Sequence, residues 1–181
     1  MPSRFPLFDD AERRVEYVYT TRERLLSIDP ARIVPVGEIP AALTTFARDL
    51  ASALDDDLNM PIALAHASEM LKQVNELVET TRRKKGTVSR AAVDAATKAL
   101  DALGVELGIG TQSPTGFLER VRARRVRAKG LTEADIDQKI AARKAAREAK
   151  DFARADEVRA ELVLLDVELM DGPTGTTWRM L

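Results

Sequence analysis

Apolar residues recur at helical spacing four times in the first hundred residues, and this periodicity constrains the fold more than any other feature. Side chains three or four positions apart lie on one face of an α-helix, so each stretch predicts a helix with one face to bury. Helices joined by short connections bury such faces in an antiparallel bundle. The third stripe is the most regular and comprises Ala63, Ala67, Met70, Leu71, Val74, Leu77 and Val78.

The ends of these four helices are indicated by capping residues, prolines and glycines. Asp9 suits the N-cap of the first helix, Pro40 the start of the second, and Ser89 the N-cap of the fourth. The turn DDDLNMP separates the second helix from the third. Gly104 is expected to end the fourth helix, because glycine readily adopts the left-handed conformation that follows a helix.

A domain boundary is expected near residue 110, in the glycine- and proline-containing stretch GVELGIGTQSPTG. Residues 1–110 then form the antiparallel helix bundle. Residues 111–130 contain the basic sequence FLERVRARRVRAKG, whose apolar positions are too sparse for a buried helix. We expect that segment to be a linker or an exposed helix.

Residues 131–181 predict a small α+β domain. Thr132 caps a first helix, and a second helix starts near Phe152, so that the sequence KDFARAD forms the corner of a helical hairpin. The last sixteen residues alternate apolar and polar side chains around the turn GPTG, which is typical of a β-hairpin. The predicted fold class is therefore mainly α, a helix bundle followed by this α+β domain.

The residue types exclude several kinds of site. The chain has no cysteine, so it forms no disulfide and no thiolate metal site, and its single histidine, His66, is too little for a histidine-based zinc site or triad. Residues 55–57 are an acidic triplet, which we expect to be a solvated turn rather than a metal site. The glycines of GVELGIG lack the strand-then-helix context of a phosphate loop. We therefore expect no metal, no cofactor and no catalytic residue.

The sequence also carries no signal for a membrane or for export. It has no apolar run of eighteen residues, and its N-terminus has no charged-then-apolar leader. We expect neither a membrane span nor a secretory signal, and we place the protein in the cytoplasm.

Charge is distributed unevenly along the chain. Residues 1–80 hold 8 Lys/Arg and 14 Asp/Glu, a balance of −6, whereas residues 81–181 hold 20 Lys/Arg and 15 Asp/Glu, a balance of +5. Only the second part has the electrostatics to approach a polyanion, although arginine-rich helices are often simply solvated. The candidate phosphate contacts are Arg122, Arg124, Arg125 and Arg127.

The corner KDFARAD brings together three groups that suit a nucleobase. The ring of Phe152 offers a stacking surface, the carboxylate of Asp156 can accept the two donors on the edge of guanine, and Arg147 offers a planar donor fork. The alternative is that Phe152 is the first core residue of its helix and that the charges are caps and solvated pairs. From the residues alone, that alternative is the commoner outcome.

The chain resembles the C-terminal region of bacterial cysteinyl-tRNA synthetases over nearly its whole length. The shared motifs are the DDDLN-P turn, the run A-R-x-x-K-D-aromatic-A-x-A-D-x-x-R and the ending G-T-T-W-R, in this order. The N-terminal sequence is similar to the start of that family's helix bundle, just after its catalytic domain. The segments that carry the resemblance are MPSRFPLFDDAERRVEYVYTTRERL, FARDLASALDDDLNMPIALAHASEMLKQVNEL, GLTEADIDQKIAARKAAREAKDFARADEVRAEL and VELMDGPTGTTWR.

The resemblance implies a class I synthetase anticodon-binding bundle, of the DALR type, followed by a small anticodon-recognition domain. By position, the base-reading residues of that family fall on Arg147, Phe152, Asp156 and Asp171. The family usually has tryptophan at position 152, and phenylalanine keeps a stacking surface but loses area and the indole donor. Trp178 is expected to pack the hairpin onto the helices. The family's catalytic domain, with its HIGH and KMSKS signatures and its Cys/His zinc site, has no counterpart in this sequence.

Three functions follow as hypotheses. The first is a non-catalytic RNA-binding region that recognises tRNA(Cys) through its stem and GCA anticodon. The second is one part of a split or truncated cysteine–tRNA ligase, with a separate catalytic synthetase chain as its partner. The third is a helical interaction module that has lost RNA binding. On any of these hypotheses, the chain is not an enzyme on its own.

Overall fold

The computed structural model describes residues 6–172 and 175–180. Residues 1–5 belong to the N-terminal segment that carries part of the resemblance, and they lie outside the described residues. The fold is mainly α, as the sequence predicts. Its helices are α1 Pro6–Leu26, α2 Ala41–Asp55, α3 Met60–Arg82, α4 Arg90–Leu107, α5 Pro114–Ala128, α6 Glu133–Glu148 and α7 Phe152–Leu164. A short 3-10 helix spans Pro30–Arg32, and the strands are β1 Ile33–Val34, β2 Val88–Ser89, β3 Val167–Gly172 and β4 Gly175–Met180.

The chain forms two compact units, of which the first ends at Leu118 and the second begins at Glu119. In the first unit, α3 packs against α1, α2 and α4, as expected for a helix bundle. The predicted stripe of α3 lies in the core of this bundle, where Met70 and Val74 are fully buried. Strands β1 and β2 pair in parallel beside the bundle, which the sequence reasoning did not predict because each strand has only two residues.

The predicted helix starts at Pro40 and Ser89 are confirmed. Pro40 is the N-cap of α2, and the hydroxyl of Ser89 accepts a hydrogen bond from the backbone N–H of Ala92 at the start of α4. The predicted start at Asp9 was wrong, because α1 already runs from Pro6, a residue type that suits the first turn of a helix.

The predicted end of α4 at Gly104 was also wrong. The helix continues to Leu107, and Gly108 ends it in the left-handed conformation with φ 69°. Gly104 instead allows a close approach of the returning chain, because a Cβ at this position would lie 3.1 Å from the Thr111 Cγ2. Glycine at position 104 therefore permits close packing and does not end the helix.

The second unit contains the predicted helical hairpin and β-hairpin. Thr132 and Asp135 form a capping box at the start of α6, and α7 begins at Phe152. Strands β3 and β4 pair antiparallel, and the middle of the predicted turn, residues 173 and 174, lies outside the described residues. The core of this unit consists of Val126, Ile136, Val158, Leu162, Val167 and Met180.

The segment 111–130, expected as a linker or an exposed helix, forms helix α5. Val121 and Val126 are buried, and Val126 belongs to the core of the second unit although its helix is rich in arginine. The chain divides into its two units inside this helix. The three-part division at residues 110 and 131 stays a prediction. Within the part of the chain that the structure describes, no helix is both long and apolar enough to cross a membrane.

Lys150 ends α6 in the left-handed conformation with φ 60°, a position where glycine is the usual residue. Lys150→Gly is expected to raise the free energy of unfolding of the second unit by about 0.5–1 kcal/mol, because glycine has no Cβ to strain this conformation. Urea unfolding followed by the fluorescence of Trp178 measures the change. As a control, Lys144→Gly inside α6 should lower the same quantity by ~1 kcal/mol. A loss of stability at both positions would contradict the left-handed assignment.

Candidate nucleic-acid interface

The corner between α6 and α7 is held by backbone and cap hydrogen bonds. The N–H of Lys150 donates to the carbonyl of Arg147 at 3.0 Å, and the N–H of Asp151 donates to the carbonyl of Ala146 at 2.9 Å. The carboxylate of Asp151 accepts from the N–H of Arg154 at 3.0 Å and so caps α7. These bonds fix the positions from which the side chains at the corner project.

Phe152 is the first residue of α7 and has 62% of its surface exposed. It is not among the core residues of the second unit. The Cα–Cβ bonds of a helix tilt toward its N-terminus, so a side chain at the first position projects past the helix end instead of into the hairpin. The alternative that Phe152 is a core residue was therefore wrong, and its ring is accessible to a ligand.

Asp156 lies one helical turn after Phe152, and both side chains are exposed. Residues four positions apart share one face of a helix, so the carboxylate and the ring belong to the same face of α7. Hydrogen bonding to Asp171 raises the pKa of Arg143 above its ordinary value, and the negative charge of Asp156 raises it further. Asp156 is thus within electrostatic reach of the groups around Asp171.

Asp171, near the end of β3, is bound by side chains from α6 and β4. Arg143 donates from Nη1 to Oδ1 at 3.1 Å and from Nη2 to Oδ2 at 2.9 Å. The hydroxyl of Thr176 donates to Oδ1 at 2.6 Å, and the Arg147 Nη1 lies 3.6 Å from Oδ2. Hydrogen bonds from Arg143 and then Thr176 hold the pKa of the Asp171 carboxyl well below its usual range, and the charges of Arg143 and Arg147 lower it further.

Sequence reasoning did not find Arg143. Its residue exposure is 6%, and it is the only charged residue classed as buried in the described part of the chain. The available signal was its position one helical turn before Arg147, which places the two arginines on one face of α6. The structure brings Arg143, Arg147, Asp156 and Asp171 together around this corner.

The four candidate arginines of the basic helix α5 differ in their contacts and exposure. Arg122 donates from Nε and Nη2 to the two carboxylate oxygens of Glu133, at 3.2 and 3.1 Å, and its guanidinium lies 4.9 Å from the ring centroid of Trp178. Arg125 donates to the carbonyl of Met180 at 3.4 Å. Both therefore hold parts of the second unit together. The remaining two candidates, Arg124 and Arg127, are exposed.

Trp178 packs against the core of the second unit, as the sequence predicts. Its ring is partly buried, and its indole N–H donates to the Asp137 Oδ1 on α6 at 3.2 Å. The single tryptophan of the chain thus reports on the second unit, a property that the stability experiments use.

The acidic triplet at residues 55–57 begins with the last residue of α2 and is exposed, and His66 on α3 is partly exposed. In residues 6–172 and 175–180, no group of three or more His, Cys, Asp or Glu side chains is arranged to hold a metal ion.

Comparison with known families identifies the region. Residues 50–112 match the DALR domain, and residues 130–179 match the cysteinyl-tRNA ligase anticodon binding domain. The chain belongs to the anticodon-binding region of the cysteine–tRNA ligase family. All four predicted base-reading residues, Arg147, Phe152, Asp156 and Asp171, lie inside the second match; their roles stay predictions.

Relatives of the cysteine–tRNA ligase family align with most of this chain. The cysteine–tRNA ligase of Anaeromyxobacter dehalogenans (strain 2CP-1) is 37% identical over 171 residues, which are 94% of this chain and 34% of that protein. The cysteine–tRNA ligase of Geobacter sulfurreducens is 36% identical over 145 residues, 80% of this chain and 28% of that protein. The chloroplastic/mitochondrial ligase of Arabidopsis thaliana is 30% identical over 179 residues, 96% of this chain and 32% of that protein.

The chain spans about a third of the length of the curated relatives that it matches. Its similarity is to the C-terminal, anticodon-binding part of a ligase. The similarity therefore does not assign the activity of the whole relatives to this region.

Proposed function

We propose that this chain is a non-catalytic tRNA-binding region that recognises tRNA(Cys) through its stem and its GCA anticodon. The observation that carries the proposal is the exposed ring of Phe152, one turn from the exposed Asp156, inside the part matched by the anticodon-binding family. An aromatic face beside a carboxylate suits a guanine that is splayed out of a single-stranded loop. Arg147 adds a donor fork at the same corner, and Asp171 adds a carboxylate.

The test is a titration of the chain with tRNA(Cys), with tRNA(Cys) carrying a changed anticodon, and with an unrelated tRNA. Each titration is run at several salt concentrations, because phosphate contacts alone give salt-dependent affinity without specificity. We expect tighter binding of tRNA(Cys) than of both other RNAs at every salt concentration. Equal affinities for all three would refute recognition of the anticodon and favour the interaction module that has lost specific RNA binding.

A second candidate function is cooperation with a catalytic synthetase region supplied by another chain. It is favoured by the relatives, in which the matched region makes up about a third of a cysteine–tRNA ligase. The measurement is charging of tRNA(Cys) with cysteine by such a catalytic region, with and without this chain. If the chain leaves the rate of charging unchanged at saturating concentration, this second function is refuted, whereas the binding function is not.

Asp156→Asn is expected to reduce the preference for guanine over adenine at the first anticodon position. An amide offers one acceptor oxygen where a carboxylate offers two, so the variant can no longer accept both donors of the guanine edge. The ratio of the two dissociation constants, measured with tRNA(Cys) carrying guanine or adenine there, should fall toward one. Glu157→Gln is the matched control, since its neighbouring, exposed carboxylate does not share a face with Phe152. An unchanged ratio in Asp156→Asn would refute the assigned role.

Replacing both Arg124 and Arg127 by glutamine is expected to weaken binding to all tRNAs alike and to flatten its salt dependence. Contacts to phosphate carry no sequence information, and each lost contact lowers the salt slope by roughly one. The same double change at Arg122 and Arg125 should instead lower the stability of the second unit, because those side chains bind Glu133, Trp178 and Met180. A selective loss of tRNA(Cys) binding in the first double variant would contradict a phosphate role.

A further inference from the structure

The buried guanidinium of Arg143 needs a fixed partner. Removing an ionised group from water costs free energy unless a counter-charge and hydrogen bonds replace the solvent. Asp171 supplies both, with two parallel hydrogen bonds of 3.1 and 2.9 Å, which is the strongest arrangement for an arginine and a carboxylate. The Asp171 side chain remains 48% exposed, so this buried pair reaches the surface at its acidic end.

The β-hairpin completes the arrangement. Asp171 and Thr176 are paired across β3 and β4, and the Thr176 hydroxyl donates to the same oxygen that accepts from the Arg143 Nη1. Both oxygens of Asp171 therefore accept hydrogen bonds from the protein. The carboxylate is held in one orientation by one helix and one strand, before any ligand is present.

Arg147 stands next to this carboxylate without being bound to it closely. Its Nη1 lies 3.6 Å from the Asp171 Oδ2, which is near enough for attraction but beyond the usual length of a hydrogen bond. Its side chain is 52% exposed. The guanidinium of Arg147 is thus attracted by the charge of Asp171, but its N–H donors are not used in a close hydrogen bond to that carboxylate.

We propose that Arg143 is a positioning residue for Arg147. By binding both oxygens of Asp171, Arg143 prevents that carboxylate from capturing Arg147, whose donors then remain available to a nucleotide of the anticodon loop. With Asp156 included, the four charges of this corner sum to zero, whereas without Arg143 they would sum to one negative charge, which repels an approaching polyanion. This inference rests on the function proposed above and deepens it, because it says why a buried arginine accompanies the exposed one.

Arg143→Gln provides the test, with binding of tRNA(Cys) measured at fixed salt. Asp171 should then pair with Arg147, and affinity should fall about tenfold, close to the loss in Arg147→Gln. Adding Asp171→Asn to Arg143→Gln removes the charge that captures Arg147, so the double variant should bind more tightly than Arg143→Gln and reach the affinity of Asp171→Asn alone, which includes any loss from the Asp171 carboxylate itself. A purely structural role of Arg143 does not produce such recovery, because the double variant still lacks the ion pair.

Two results would overturn the inference: wild-type affinity in folded Arg143→Gln, or a double variant that binds no better than the single one. Trp178 fluorescence shows whether each variant is folded. If Arg143→Gln unfolds, Arg143→Lys takes its place, since it keeps the charge but loses the two parallel bonds, and Asp171→Asn should again raise affinity. The outcome is separable from that of the proposed function: if the wild-type chain prefers tRNA(Cys) and Arg147→Gln weakens it, a failed recovery refutes only the role of Arg143.

Discussion

Phe152→Ala is expected to weaken the binding of tRNA(Cys) by about 1–3 kcal/mol, the range for removing one stack between a base and an aromatic ring. In dissociation constants this is roughly 5- to 150-fold. The chain itself should remain folded, because the ring is 62% exposed and lies outside the core of the second unit. Phe152→Ala is thus expected to lower the affinity for tRNA(Cys) without lowering the free energy of unfolding. Titration measures the affinity and urea unfolding measures the stability of the same variant.

A substitution series at this position distinguishes stacking from simple apolar contact. Phe152→Trp enlarges the aromatic face and should strengthen binding, whereas Phe152→Leu keeps apolar bulk without a π-face and should bind almost as weakly as Phe152→Ala. Val163→Ala, at an exposed apolar position near the other end of α7, is the matched control and should leave affinity unchanged. If leucine binds as well as phenylalanine, the ring does not stack on a base.

Residue pattern alone predicted the helices well because helix formation depends on local spacing and on caps. Thr132 and Ser89 were found as caps because a side-chain oxygen at the first turn bonds to nearby backbone N–H groups. Gly104 was misjudged because glycine serves two purposes, a left-handed helix end and close packing, and only the neighbouring Thr111 decides between them. The position of Thr111 is a tertiary fact that the local sequence does not contain.

The candidate site was predictable in part, for a similar reason. Phe152 continues the spacing of the buried Ala155, Val158 and Leu162, so periodicity alone favours a core role. Phe152 is exposed because it is the first residue of α7, where a side chain projects past the helix end. The spacing of apolar residues does not reveal this effect. The pairing of Arg143 with Asp171 could not be predicted, because the two residues are 28 positions apart and meet only through the packing of the β-hairpin on α6.

Leu162→Ala is expected to lower the free energy of unfolding of the second unit by about 2–5 kcal/mol. Leu162 is fully buried, and its truncation removes apolar contacts and leaves a cavity among Val126, Val158 and Val167. A unit of about sixty residues buries only about 60% of the surface that its unfolded chain exposes and has a stability of roughly 3–9 kcal/mol, so this loss is comparable with the whole. The variant should unfold near ambient temperature.

The matched control lies two positions along the same helix. Leu164 is 84% exposed, so Leu164→Ala makes the same chemical change without opening a cavity and should alter the free energy of unfolding by less than about 0.5 kcal/mol. Trp178 packs against the core that Leu162 fills, so its fluorescence follows the urea unfolding of this unit in both variants. Equal midpoints for the two variants would mean that α7 does not present Leu162 to this core. The free energy of unfolding from this experiment also shows whether a variant is folded when its affinity at the Phe152 corner is measured, because a corner on an unfolded unit cannot hold a base in place.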